Sequence, residues 1–212
     1  MHIVEGALAA PVLAGGAALT AAGVALGLRK IDYERIPQVA VLSSAFFVAS
    51  LIHLPVGFTS AHLILNGLIG VILGWAAFPA LLVALLLQSV FFGYGGLTAL
   101  GVNTLNMAMP AVACYYLFGW RMRAAKRSFL FGIGFAVAFT GITLAAMMTA
   151  ASLLLSGKEF AAAIAAMGIA HIPVIVVEGL VTGSVVVFLH KVRPELLEAP
   201  VAARVGERAP DA

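Results

Sequence analysis

The first two residues, Met1-His2, and one histidine sixty positions further on, His62 in Thr59-Ser60-Ala61-His62-Leu63, carry nitrogen donors of a kind that can chelate a small cation. A free α-amine, the amide nitrogen of residue 2 and the Nδ1 of its ring can close a five-membered and then a six-membered chelate ring around one ion. A further imidazole nitrogen would complete a planar four-nitrogen set, the ligand type and geometry that suit Ni(II) or Cu(II) rather than Zn(II) or Mg(II). His62 is the candidate for that last corner. The chemistry requires an unblocked terminus with Met1 retained, and trimming of an initiator methionine usually needs a small second residue, so the bulky His2 should protect Met1. The plain alternative for His2 is a solvated terminal histidine.

Most of the remaining chain is of a composition that can hold such groups in a membrane. Of 212 residues, 63% are hydrophobic and 10% charged, far from the charge content of soluble domains. At about 20 apolar residues per helical span, the length allows six or seven spans and leaves no room for a soluble ATPase domain. The net charge of +3 comes from short basic clusters between apolar runs, which is a topology signal rather than a nucleic-acid footprint. The single cysteine, Cys114, lies in an apolar run and reads as packing. No basic region precedes the first apolar run, so a cleaved signal peptide is not expected.

The apolar runs predict seven helices. They cover roughly Ala7 to Leu28, Pro37 to Leu54, His62 to Trp75, Ala80 to Phe92, Asn103 to Phe118, Ser128 to Leu155 and Phe160 to Leu189. Phe78-Pro79 is the expected turn between the third and fourth, Phe58-Thr59-Ser60 a short loop, and Pro173 a kink inside the last. The fold expected is an all-α membrane bundle forming one metal-binding domain over residues 1–193, with a disordered cytoplasmic tail over 194–212. Arg29, Lys30, Arg35, Arg121, Arg123, Lys126, Arg127, Lys191, Arg193, Arg204 and Arg208 fall on one side of this layout and Lys158 on the other. The positive-inside rule then puts the N-terminus outside and the tail in the cytoplasm. Met1, His2, His53, the Thr59 to His62 loop and the Gly93 to Asn103 segment all come out on the external face.

Small residues four apart, Gly23 with Gly27, Gly70 with Gly74 and Gly179 with Gly183, suit close helix packing in lipid. The glycines at 93, 95, 96 and 101 lack a preceding strand and a Gly-Lys-Ser/Thr sequence, which excludes a phosphate-binding loop. Polar residues inside apolar runs are costly and face protein, water or a partner. Gln88, Asn66, Asn103, Asn106, His171 and Glu178 are this chain's set. Helix-to-helix hydrogen bonding is one account of them. The other makes Thr59, Ser60, Asn66, Gln88, Asn103, Asn106, His53 and His171 groups that orient the metal-bound imidazoles. His171 and Glu178 share a helix face two turns apart, too far for direct contact. His53 is the reserve ligand, and His190 an interfacial residue.

The blocks Met1 to Gly6, Gly57 to Gly67, Gln88 to Thr98, Gly101 to Met107, His171-Ile172-Pro173 and Glu178-Gly179 resemble the CbiM/NikM family. The resemblance implies the substrate-capturing membrane component of an energy-coupling factor importer for nickel or cobalt. It also implies, for Met1, His2 and His62, the roles of the family's terminal amine, second-residue nitrogens and loop histidine. The partners implied are a transmembrane coupling protein and a pair of ABC ATPases, and a small accessory membrane subunit is allowed. The location implied is a bacterial cytoplasmic membrane, with no cofactor beyond the transported Ni or Co. Glu178 and the Arg121 to Arg127 loop are candidate contacts for those partners. Cobalt members tend to carry a Cys-Ser-His-Pro type loop where this chain has Thr-Ser-Ala-His-Leu, which together with the four-nitrogen argument points to nickel, with cobalt as the alternative. Phe58 and Tyr94 also depart from the family pattern at the pocket wall. A membrane metallohydrolase using Glu178 or Glu5 as base would be the rival enzyme, but no His-Glu-x-x-His spacing exists. A stand-alone carrier is the other rival, and the expectation is a transport subunit that is not itself an enzyme.

Overall fold

The computed structural model describes residues 2–51, 53–56, 59–157 and 161–197, so Met1, Phe58, Lys158, Glu159 and the tail beyond residue 197 lie outside the described residues. Seven α-helices occur among these residues: α1 Ala10–Leu28, α2 Ile36–Ala49, α3 Asn66–Leu73, α4 Ala77–Phe92, α5 Leu100–Ala124, α6 Arg127–Ser156 and α7 Ala161–Val192. Four stretches are long and apolar enough to cross a membrane, namely Ala10–Leu28, Asn66–Phe92, Arg127–Ser156 and Ile164–Val192. The chain is thus a multi-pass helical membrane protein.

These four stretches differ in what surrounds them. In the most apolar window of Asn66–Phe92, 83% of residues are buried within the protein, against 22% in α1 and 33% in the last stretch. Leu19, Leu26, Leu155, Ile169 and Phe188 are exposed, as suits helices whose outer solvent is hydrocarbon. The central stretch is surrounded by the other helices.

That central stretch is not one rod. α3 starts beside His62, and α4 leads into Tyr94; both of those rings lie against the ring of His2. The chain therefore leaves one end of the bundle and returns to it. The reversal falls at Gly74 to Ala76, a 3-10 turn, where Gly74 has φ +57°, a region that disfavours any residue with a Cβ. At that far end the Arg35 guanidinium donates to the Ile72 carbonyl at 3.3 Å and the Trp75 indole to the Tyr116 hydroxyl at 2.9 Å. The expected turn at Phe78-Pro79 is thus displaced. Pro79 sits in the first turn of α4, where its missing N–H leaves no helical bond unmade. At eight residues, α3 is only about 12 Å long.

A β ribbon is the departure from an all-helical fold. β1 (His53–Val56) and β2 (Thr59–His62) pair antiparallel, with His53 opposite His62 and Val56 opposite Thr59. The expected second span to Leu54 stops instead at Ala49, and Pro55, whose ring would crowd the carbonyl of residue 51 in a continued helix, lies in an extended strand. The ribbon precedes the stretch Asn66–Phe92 that can cross the membrane, and its strand β2 packs on α7.

Glycines let the helices meet backbone to backbone. A Cβ on Gly70 would collide with the Ala111 carbonyl of α5, so α3 lies hard against that helix. α6 and α7 run antiparallel, with Gly134 against Gly183 and Gly179 against Phe135. The expected tail begins with structure: Pro194–Leu196 is a 3-10 turn on the end of α7, and Leu197 is buried in the core.

Candidate metal centre

The N-terminal segment turns back into one end of the bundle, where Asn103 holds it. The Ile3 amide donates to Asn103 Oδ1 at 2.9 Å, and Asn103 Nδ2 donates to the Ile3 carbonyl at 3.0 Å. Ile3 and Leu8 pack with Val102 and Leu153 in a small apolar cluster of their own. Two further ties complete the anchorage. The Ser156 hydroxyl accepts from the Ala9 amide at 3.1 Å, and the Glu5 carboxylate accepts from the Thr98 amide at 3.0 Å.

The residue fixed next to this clamp is His2, which is 5% exposed. Its ring lies 4.7 Å from that of His62, centroid to centroid, with 21° between planes, and 6.0 Å from that of Tyr94. The plain alternative of a solvated terminal histidine is excluded by that burial.

The loop after α4 closes over the segment. Gly93, Gly95 and Gly96 all have positive φ, the conformation glycine adopts without a Cβ penalty. A Cβ on Gly95 would stand 2.7 Å from Asn103 Nδ2 and 3.6 Å from His2 Nδ1. Only a residue without a side chain lets this loop lie against both the clamp and the imidazole.

His62 ends β2 and is buried. Its Nδ1 donates to the Leu63 carbonyl at 2.8 Å, which fixes the proton on that nitrogen and leaves the lone pair on Nε2. Burial, above all, holds the His62 pKa well below the ordinary histidine range, so the ring is in the neutral form that metals bind. On the α7 side the Glu178 carboxylate accepts from the Ile64 amide at 2.7 Å.

The other expected orienting residues separate into distinct groups. Asn103 holds the Ile3 main chain rather than an imidazole. Asn66 donates to the Met107 and Gly141 carbonyls at 3.3 and 3.2 Å, Asn106 bonds Ser152 on α6, and Gln88 bonds the Ser50 hydroxyl. For Asn66, Asn106 and Gln88 the bonds formed are those of helix-to-helix ties. His171 donates from Nδ1 to the Met167 carbonyl at 2.6 Å on its own helix. Thr59, Ser60 and His53 are described only through their backbone in the ribbon, and Met1 lies outside the described residues. Glu178, expected as a partner contact, is fully buried, so it faces protein instead. Cys114 is buried too, with Sγ 3.6 Å from the Val137 carbonyl, in keeping with packing. Reading the sequence missed Gly95 and the Glu5 to Thr98 tie. Three glycines in four residues directly after an apolar helix were the available signal.

Among the described residues no three His, Cys, Asp or Glu side chains converge as in a metal centre built from side chains. Two imidazoles meet instead beside a clamped main-chain segment, and donors beyond those two have to be sought in the backbone. The fold and this arrangement define a helical membrane protein whose buried N-terminal histidine meets a second histidine from a ribbon.

The family model described as "Cobalt uptake substrate-specific transmembrane region" matches residues 2–196. A protein of Haemophilus influenzae described as a candidate metal transport protein is 44% identical over 200 residues, which cover 93% of this chain and 97% of that protein. The fused nickel transport protein NikMN of Rhodobacter capsulatus is 34% identical over 98% of this chain and 67% of its own length. The crystal structure of a transition metal transporter superposes with TM-score 0.79 at 31% identity, covering 91% of this chain and 93% of that one. The chain belongs to the CbiM family.

Proposed function

We propose that this protein captures Ni(II), with Co(II) as the alternative substrate, through the Met1 amine, the His2 amide and Nδ1, and His62 Nε2. The observation that carries the reading is the buried juxtaposition of His2 and His62 at 4.7 Å. In the chelate described for residues 1 and 2, His62 would occupy the corner next to the His2 imidazole. Two imidazoles bound at about 2 Å to neighbouring corners of a planar ion have centroids about 4.5 Å apart. To share an ion the rings turn about their χ2 bonds until both lone pairs meet it. The donor types favour nickel, the name of the Rhodobacter relative includes nickel, and the family description includes cobalt.

Charge supports the external placement proposed for this site. α1 begins at the His2 end and α6 and α7 run antiparallel, with Ser156 of α6 tied to Ala9. Arg29, Lys30, Arg35, Arg127, Lys191 and Arg193 border helix ends away from that site, so the positive-inside rule supports the site outside and the C-terminus cytoplasmic, in a bacterial cytoplasmic membrane. Transport would draw on ATP hydrolysed by an ABC ATPase pair acting through a transmembrane coupling protein.

The test is Ni(II) and Co(II) binding by purified full-length protein with its native terminus, with two residues added ahead of Met1, and with His62→Ala. Each change should weaken binding by about 100-fold or more, the scale of losing one or two metal–nitrogen bonds. Unaltered binding by the extended protein would refute the terminal-amine site.

A further inference from the structure

We propose that Glu178 is a positioning residue that sets the His62 imidazole through the turn Leu63-Ile64-Leu65, a proposal that rests on His62 being a metal ligand. Glu178 is the one carboxylate among the fully buried side chains of the described residues. It stands on α7, one residue before the Gly179 that packs on Phe135 of α6.

Its carboxylate has a specific occupant. Oε2 accepts from the Ile64 amide at 2.7 Å, and Ile64 directly precedes Leu65. Leu65 has φ +49° and is the only residue other than glycine with positive φ among the described residues. Such a conformation is strained for a bulky residue and persists only where its surroundings hold it. Glu178 contributes to that hold by accepting from the amide of the preceding residue, Ile64.

The turn so held is the support of the ligand. The Leu63 carbonyl fixes the proton and orientation of the His62 ring through the 2.8 Å bond from Nδ1, and the next amide, that of Ile64, is the one on Glu178. A path of two hydrogen bonds and three residues therefore runs from α7 to His62 Nε2. A displacement of α7 would act on the metal ligand along it.

The test measures Ni(II) release into excess chelator, and the visible absorption of bound planar Ni(II), in full-length Glu178→Gln, Glu178→Asp and Glu178→Leu proteins. The Gln carbonyl can take the Ile64 amide, so its release rate should stay within about threefold of wild type with an unchanged spectrum, whereas Asp, one methylene shorter, should release up to about tenfold faster with a shifted band, the scale of one lost hydrogen bond. Leu should exceed Asp. A residue that merely supports the fold would lower the melting temperature in these variants and leave rate and band alone, and that result overturns the proposal. If Glu178→Leu fails to fold, Asp against Gln decides. Absence of the planar band from wild type removes the four-nitrogen reading and the proposal with it; a normal wild-type band with wild-type release by Asp removes the proposal alone.

Discussion

Asn103 and Asn106 are the same residue type, one turn apart on α5 and both buried, yet they serve different parts of the molecule. Asn103 grips the main chain of Ile3 with both ends of its amide. Asn106 exchanges hydrogen bonds with Ser152 of α6 at 3.2 and 3.3 Å. One lies where the N-terminal segment enters the bundle, the other where two helices meet. A buried amide in an apolar helix declares that it needs partners; what it then does depends on the element lying opposite, which the sequence around it does not carry.

The comparison can be broken by one pair of variants. Asn103→Ala should leave the Ile3 amide and carbonyl without partners, at about 1–3 kcal/mol for each buried group. The segment carrying His2 would loosen, and Ni(II) affinity should fall by about 10- to 100-fold, measured by titration calorimetry. Asn106→Ala should lower the melting temperature of the protein in detergent while Ni(II) affinity stays within about threefold, since no step of the site passes through it. Equal losses of affinity in both variants would show that the two asparagines do not divide the work in this way.

A smaller effect sharpens the same contrast from the other side of the segment. Gly95→Ala places a methyl 2.7 Å from Asn103 Nδ2 at φ +77°, a backbone conformation that costs a residue with a Cβ about 1 kcal/mol before any clash is counted. Gly132→Ala is the control, because a Cβ there meets nothing within 4 Å and alanine favours a helix. Ni(II) affinity should drop about fivefold in the first and rise or fall by less than twofold in the second. Matching affinities would mean that the loop does not bear on the N-terminus.

How much of this was legible in the sequence follows from the same physics. Hydropathy located the helical bundle, because membrane helices must be long, apolar and internally hydrogen-bonded. It mistook the reversal at Gly74 for one at Pro79 because both residues punctuate helices, and only φ at residue 74 tells them apart. The ribbon was hidden for a related reason. Its four-residue strands, His53–Val56 and Thr59–His62, are too short to show a period. Of the candidate site, His2 and His62 stood out by type and by family resemblance. Asn66, Gln88 and Asn106 were indistinguishable from Asn103 until their partners on neighbouring helices were known. Glu178 stood out in sequence as a polar residue inside an apolar span, open to a tie within the protein or a contact with a partner, and the tie is recognised only when α7 is set beside the turn after β2.

The smallest of these effects concerns protons, and it compares the site with the rest of the bundle through pH. His62 holds its pKa well below the ordinary histidine range, chiefly because it is buried, so the unfolded chain binds this proton at a higher pH than the folded one does. Stability rises with pH wherever the unfolded state carries more protons. The contribution of neutral His62 is therefore complete above the ordinary histidine pKa of about 6.5 and is lost as pH falls from there through the folded-state value. Melting temperatures of the metal-free protein, followed from about pH 8 down to about pH 5, should decline more steeply in wild type than in His62→Gln, which carries no titrating ring. Bound nickel should steepen the decline further, because protons then compete with the metal for the amine, the amide and both imidazoles. Parallel declines in the metal-free proteins would place the acid sensitivity elsewhere in the bundle, whereas a flatter curve for His62→Gln would assign it to the ring that meets His2.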